Sequence, residues 1–233
     1  VSDTEEPIPL PDLPGAPYDI EFFFDPGCPF AWQTSVWIRR VAELESVRVG
    51  WRFISLKFLN EDSDEPTQAA EGRMRGLRFH RICAAVRERF GNEAVGNLYK
   101  AYGERFWYQN ATGTYLERAA FGAQAAKLDE ILDELALPQD LLTEADNESY
   151  DQLIRAETDG ALARTGAGVG TPIITFDPPH GNSLFGPVIS SVPDDDTAVE
   201  FYRALRVFAD FPDFSELKRT KRPPLDLPLY KQD

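Results

Sequence analysis

Tyr18-Asp19-Ile20-Glu21-Phe22-Phe23-Phe24 runs straight into Asp25-Pro26-Gly27-Cys28-Pro29-Phe30-Ala31-Trp32, and the fold turns on this junction. The first half is a short aromatic, β-rich run of the kind that forms a buried strand. Asp25-Pro26-Gly27 breaks it. Pro29 presets φ and suits the first turn of a helix. Over residues 30–44 apolar side chains then recur at helical spacing, at Trp32, Val36, Trp37, Val41 and Leu44. Residues 47–56 (VRVGWRFISL) alternate again and read as a second strand. Strand, helix and strand in about 40 residues make a βαβ unit, expected to cross over right-handed into a parallel sheet.

Downstream the pattern changes. After a polar loop at 60–67, helical spacing dominates residues 68–90, 94–108, 116–135, 137–145 and 149–165, punctuated by Gly91, Gly113 and Pro138. Strands return at 172–176 (PIITF) and 183–185, joined by Asp177-Pro178-Pro179-His180-Gly181-Asn182, a hairpin. A last helix is expected at 197–209, then an irregular tail. The order is βαβ, helical insert, ββα. It divides the chain into an arm (1–17), an α/β domain (18–60 and 166–212), a helical insertion (61–165) and a tail (213–233).

The bulk composition narrows the function. The chain has 233 residues, 42% hydrophobic and 27% charged, enough to bury a full core. Its 24 basic and 39 acidic side chains leave a net charge of -15, which repels phosphate backbones and anionic lipids. Nucleic acid and membrane are therefore not expected as partners, and no apolar run reaches the roughly 18 residues of a membrane span. Residues 1–17, with Pro7, Pro9, Pro11, Pro14 and Pro17, lack the basic start and apolar centre of a secretory signal and read as a mobile or surface-hugging arm. Two cysteines are not a disulfide framework, so a reducing, cytoplasmic compartment is expected. Two histidines are too few for a metal site, and none is expected.

Cys28 stands where the first strand gives way to the first helix. Unpaired N–H groups and a partial positive charge gather at such a helix start, and both favour the thiolate, the nucleophilic form. A lone Cys is more often packing, but Pro-Gly-Cys-Pro at a helix N-terminus points to chemistry. Thr171-Pro172 follows the flexible Gly166-Ala167-Gly168-Val169-Gly170 and opens a strand, where a proline costs no ladder bond. A cis bond there would turn the backbone toward the Cys28 loop. Cys83, between Ile82 and Ala84 on a long helix, reads as buried packing. His180 reads as a solvated turn residue, Phe106-Trp107-Tyr108-Gln109-Asn110 as packing or a cap over the thiol, and Lys218-Arg219-Thr220-Lys221-Arg222 as a solvated basic run that could also meet acidic surface or an anionic thiol.

As a set, FFFDPGCPFAW (22–32), SLKFLNE (55–61), GVGTPIITF (168–176), FGPV (185–188) and FSELKRTKRPP (214–224) resemble the DsbA-like branch of the thioredoxin superfamily. Closer still, they resemble actinobacterial mycothiol-dependent reductases carrying Asp-Pro-x-Cys-Pro-Trp-Cys-Trp. The resemblance implies a thioredoxin fold with an all-helical insertion and a thiol-dependent oxidoreductase. Cys28 would be the attacking cysteine. Pro29, Phe30, Trp32, Asn60, Thr171 and Pro172 would line the substrate and thiol groove. It implies a low-molecular-weight thiol, mycothiol or glutathione, as co-substrate, a small disulfide or electrophile as partner, and leaves a homodimer open. Ala31 departs from the pattern: it stands where the family has its resolving cysteine. That removes the short intramotif disulfide and leaves a monothiol route. Two rival readings fit the same residues: an isomerase or transferase like 2-hydroxychromene-2-carboxylate isomerase and the kappa-class glutathione transferases, and a redox-inactive binding homologue.

Overall fold

The computed structural model describes residues 10–63, 67–108, 119 and 122–227. Strands β1 (Ile20–Phe24), β2 (Val49–Phe53), β3 (Ile173–Phe176) and β4 (Ser183–Phe185) form one sheet in the order β2-β1-β3-β4. β1 pairs parallel with β2, Ile20 opposite Val49, as a βαβ crossover requires. β3 returns antiparallel to β1, with Phe23 opposite Ile173, and β4 closes the hairpin. This is a thioredoxin fold with helices inserted between its halves.

Every residue of β1 is buried, because both faces of the strand are covered. Ile20, Phe22 and Phe24 point into the main core with Trp37, Ile38 and Val41 of α1 (Pro29–Glu45) and with Leu98 and Tyr99 of α4 (Asn92–Trp107). Phe23 points the other way, into a smaller cluster with Ile54, Ile173 and Ala161. Glu21 shares that second face, where its carboxylate meets Arg52 at 2.6 Å. Arg52 also pairs with Glu157 at 3.0 Å, and Glu157 with Arg87 at 2.9 Å. Glu157 in turn accepts from the Phe53 N–H at 2.8 Å, so this buried network stitches β1 and β2 to α3 (Thr67–Phe90) and α6 (Asp151–Thr165). Pairing within the network offsets the cost of burying these charges.

The expected elements shorten where polar contacts take over. The strand expected through residue 56 stops at Phe53, because Ser55 and Leu56 turn into the short helix α2 (Leu56–Leu59). There the Ser55 N–H donates to Thr158 Oγ1 and the Leu56 N–H to Asp25 Oδ2. Residues 137–145 form 3-10 turns over Gln139–Asp146 behind Pro138, not an α-helix. Of the helix expected at 116–135, the described residues hold a turn at 122–125 and α5 (Leu128–Glu134), separated by Lys127 at φ 35°; residues 116–118, 120 and 121 lie outside them. The last helix, α7 (Asp195–Asp210), starts on an Asp194 cap and is held to α1 by Trp37 Nε1 donating to the Ala198 carbonyl at 3.1 Å. Residues 10–17 hug the surface: Leu13 is buried and the Pro11 carbonyl accepts from Arg52. No helix among the described residues is long and apolar enough to cross a membrane.

Candidate active site

Antiparallel pairing of β3 with β1 carries Thr171 and Pro172, just ahead of Ile173, to the end of β1 where the Cys28 loop begins. The Thr171-Pro172 peptide is cis. Thr171 Oγ1 donates to the Phe23 carbonyl at 3.3 Å, and the Gly186 N–H to the Pro172 carbonyl at 2.8 Å, fixing the loop from both sides. Cys28 is the N-cap of α1, in extended conformation, with Pro29 buried at the first helical position. Its sulfur lies between two backbone groups. The Ala31 N–H donates to Sγ at 3.4 Å, and the thiol faces the Thr171 carbonyl at 3.6 Å. The two segments that sequence reasoning singled out, 143 positions apart, thus meet at one atom.

The helix start is not the only influence on the thiol. Burial pushes the Cys28 thiol up to about 11, against the pull of the Ala31 N–H; the nearby Asp25 carboxylate pushes the same way, and the Phe30 N–H and Arg222 pull back. The helix start is poised for a thiolate as expected, but loss of hydration outweighs it. Cys28 is only part-buried, and its thiol faces the Thr171 carbonyl.

Asp25, which the sequence offered only as a strand breaker, is the main ionisable group that sequence reasoning missed. Its side chain is wholly buried, accepting from the Gly27 N–H at 2.7 Å and the Leu56 N–H at 2.8 Å. Room for it is made by Gly76, where a Cβ would stand 2.9 Å from Oδ1. Burial raises its pKa to about 6, against those two N–H donors and the Arg73 cation. The carboxyl thus caps the loop three positions before the thiol and carries a raised pKa there.

The other expected site residues divide. Phe30 is half-buried, with the Arg222 guanidinium carbon 5.2 Å from its ring centre. Trp32 is wholly buried, edge-on to Tyr99 and Tyr108 at 5.6 and 5.4 Å, and Gly103 leaves the space its ring fills. It supports the motif from below and offers no surface to a ligand. Asn60 ends α2, its amide donating to the Leu56 carbonyl at 2.8 Å, so it borders the Asp25 side of the site. Phe106 and Trp107 are core residues; Gln109 and Asn110 lie outside the described residues. Cys83 is buried in the main core, and burial raises its pKa strongly. His80 is buried too, with Nε2 2.9 Å from the Phe24 carbonyl oxygen, and burial lowers its pKa to about 3, so it stays neutral. Among the described residues no three His, Cys, Asp or Glu side chains converge as a metal site would need. A cavity of about 410 Å³ lies between the N-terminal arm and the helical lobe, lined by Leu13, Ala84, Arg87, Tyr150 and Leu153, and shares no lining residue with the thiol's surroundings.

A cysteine capping the first helix of a thioredoxin fold, facing a proline loop across the sheet, defines a DsbA-like member of the thioredoxin superfamily. More narrowly, the chain belongs to the Rv2466c-like family, described as mycothiol-dependent nitroreductase Rv2466c, whose family model matches residues 27–219. It is 31% identical over 219 residues to the uncharacterized protein Rv2286c of Mycobacterium tuberculosis (strain ATCC 25618 / H37Rv), covering 91% of this chain and 86% of that one. A solved structure of 2-hydroxychromene-2-carboxylate isomerase matches over 81% of this chain and 94% of its own, with TM-score 0.41 and 12% identity. So loose a likeness carries no weight of its own.

Proposed function

We propose that this protein is a mycothiol-dependent oxidoreductase that works through Cys28 alone. The observation that carries the reading is the place of one sulfur, between the Ala31 N–H and the Thr171 carbonyl at the start of α1, with no thiol at position 31. Cys28 gives its proton to solvent, and the thiolate attacks the mycothiol sulfur of a mixed disulfide. A Cys28–mycothiol disulfide forms, and the substrate leaves as a thiolate that takes up a proton. A second mycothiol thiolate then attacks the mycothiol sulfur of that adduct. It departs as mycothiol disulfide, and Cys28 is restored. The sum is one mixed disulfide and one mycothiol giving one substrate thiol and one mycothiol disulfide, with two electrons passed.

In this cycle the backbone N–H groups of Ala31 and Phe30 hold the negative sulfur, as donors aimed at developing charge do. Phe30, Pro172 and Thr171 flank the incoming thiol, Asn60 borders the pocket, and Pro29 and Trp32 hold the turn in shape. The family description favours mycothiol over glutathione, and thiol chemistry of this kind fits a reducing cytoplasm. The test is turnover of a mycothiol mixed disulfide in the presence of mycothiol and its recycling reductase. Wild type is expected to turn over and Cys28→Ser to be inactive; retained turnover in Cys28→Ser would remove the proposal.

The Cys28 thiol facing the Thr171 carbonyl at 3.6 Å favours a second reading. A protonated Cys28 can donate its S–H to a bound thiolate without ever being oxidised, as an isomerase or transferase site would use it. That reading predicts that Cys28→Ser keeps activity, since a hydroxyl donates equally well, and the same assay with an electrophilic substrate separates the two.

A further inference from the structure

The C-terminal tail folds back onto the thiol site. The Asp226 N–H donates to the Ser190 carbonyl at 2.7 Å, and Ser190 Oγ to the Pro223 carbonyl at 3.1 Å. Gln33, on the second turn of α1, donates from Nε2 to the carbonyls of both Ser190 (3.2 Å) and Asp226. Leu227 packs against the main core. Gln33 is wholly buried, and its Oε1 finds no hydrogen-bond partner. Burying a primary amide half-satisfied is costly, and an apolar side chain would pack there without that cost. The amide does one thing an apolar residue cannot: it pins the tail.

What the pinned tail delivers is Arg222. Its guanidinium lies over Phe30, two residues beyond Cys28, and no carboxylate among the described residues pairs with it. Arg40, Arg81, Arg155 and Arg206, by contrast, each pair with a carboxylate. The groups whose charge reaches Cys28 come from three elements: Asp25 from the β1–α1 loop, Tyr99 from α4, and Arg222 from the tail. Tyr99 is held neutral by burial, and Asp25 is repulsive to a thiolate.

We propose that the segment 222–227, hung on Gln33, is a working part of the site, and that Arg222, seated over Phe30, supplies a cation beside the sulfur through which thiol exchange passes. The inference rests on the Cys28 reading given above and fixes on one residue of the basic run that the sequence left open between solvent and an anionic thiol. It also gives the basic run 218–222 a purpose in a protein of net charge -15.

The test is the pH profile of Cys28 alkylation by iodoacetamide in the full chain, followed on the Cys28 peptide so that Cys83 does not contribute. Arg222→Gln, at an exposed position, is expected to move the profile upward by about half a pH unit or more, slowing alkylation ~3-fold at a fixed pH below the midpoint. Arg222→Lys should keep most of the wild-type profile. Gln33→Leu should reproduce the Arg222→Gln shift and also make the 218–222 run a faster trypsin target. A profile for Arg222→Gln that superimposes on wild type overturns the proposal, and so does an equal shift in Arg222→Lys, since the charge would then not be the cause. Alkylation reads ionisation whether or not Cys28 exchanges with mycothiol. A failed mixed-disulfide assay with a shifted profile therefore sinks the proposed function, and an unshifted profile with intact exchange sinks only the role of Arg222.

Discussion

Replacing Asp25 with asparagine removes the charge that most opposes Cys28 ionisation while keeping the size and one acceptor of the side chain. In the folded chain burial raises the Asp25 pKa from 3.8 to about 6. Between those values the folded protein holds a proton that the unfolded chain has released, so stability falls as pH rises through the window and levels off above it. The full penalty is about 3 kcal/mol, two pKa units at roughly 1.4 kcal/mol each. Asparagine carries no charge at any pH. Its amide can accept from only one of the Gly27 and Leu56 N–H groups, which adds a pH-independent cost of about 1–3 kcal/mol. The sign of the net change at one pH is therefore uninformative, but its slope is not. The stability of Asp25→Asn relative to wild type should rise by roughly 2 to 3 kcal/mol between about pH 4 and pH 8, whatever the constant offset. Urea unfolding followed by far-ultraviolet circular dichroism at intervals across that range measures it. The same variant should ionise Cys28 at lower pH, by about half to one unit. Parallel stability curves for the two proteins would show that Asp25 is not the buried titrating group described here.

Four further outcomes are expected. Alkylation of wild-type Cys28 should keep accelerating with pH toward about 11, and a plateau near neutrality would show that burial does not control it. Ala31→Cys should create a reducible intramotif disulfide seen as a new couple in a glutathione redox titration; no new couple would mean that position 31 does not face Cys28. Glu157→Gln leaves Arg52 and Arg87 buried without their shared counter-ion, and should cost about 3–5 kcal/mol in urea unfolding. Gly103→Ala puts a Cβ 2.2 Å from the Trp32 ring, and should destabilise by about 1–3 kcal/mol or more while slowing Cys28 exchange through the displaced motif; an unchanged midpoint would contradict the close packing under Trp32.

The junction of β1 and α1 was legible in the sequence because every local rule there agrees: aromatic strand, Asp-Pro-Gly break, proline at the first helical turn. Thr171-Pro172 was legible through its place in the order of elements, and the register of β3 on β1 brings it to Cys28. Asp25 was misread because turn-forming aspartates and buried ones look alike in sequence; what distinguishes this one is the gap at Gly76, on the next long helix and outside every motif. Trp32 sits next to the motif, which made it look like a groove residue, whereas helical periodicity alone would have put it in the core with Trp37. The helix position of Cys28 can be read from sequence; the desolvation that raises its pKa cannot. Gln33 gave no signal, and the basic run ending at Arg222 could be read only as open between solvent and an anionic thiol, because both contacts form only when the tail closes over α1.

Trapping the intermediate tests the central claim most directly. Purified, reduced protein mixed with mycothiol disulfide and quenched with acid should gain the mass of one mycothiol, placed on the Cys28 peptide and absent from Cys28→Ser. A chain that stays unmodified at alkaline pH while folded, or that carries the adduct on Cys83, would contradict it.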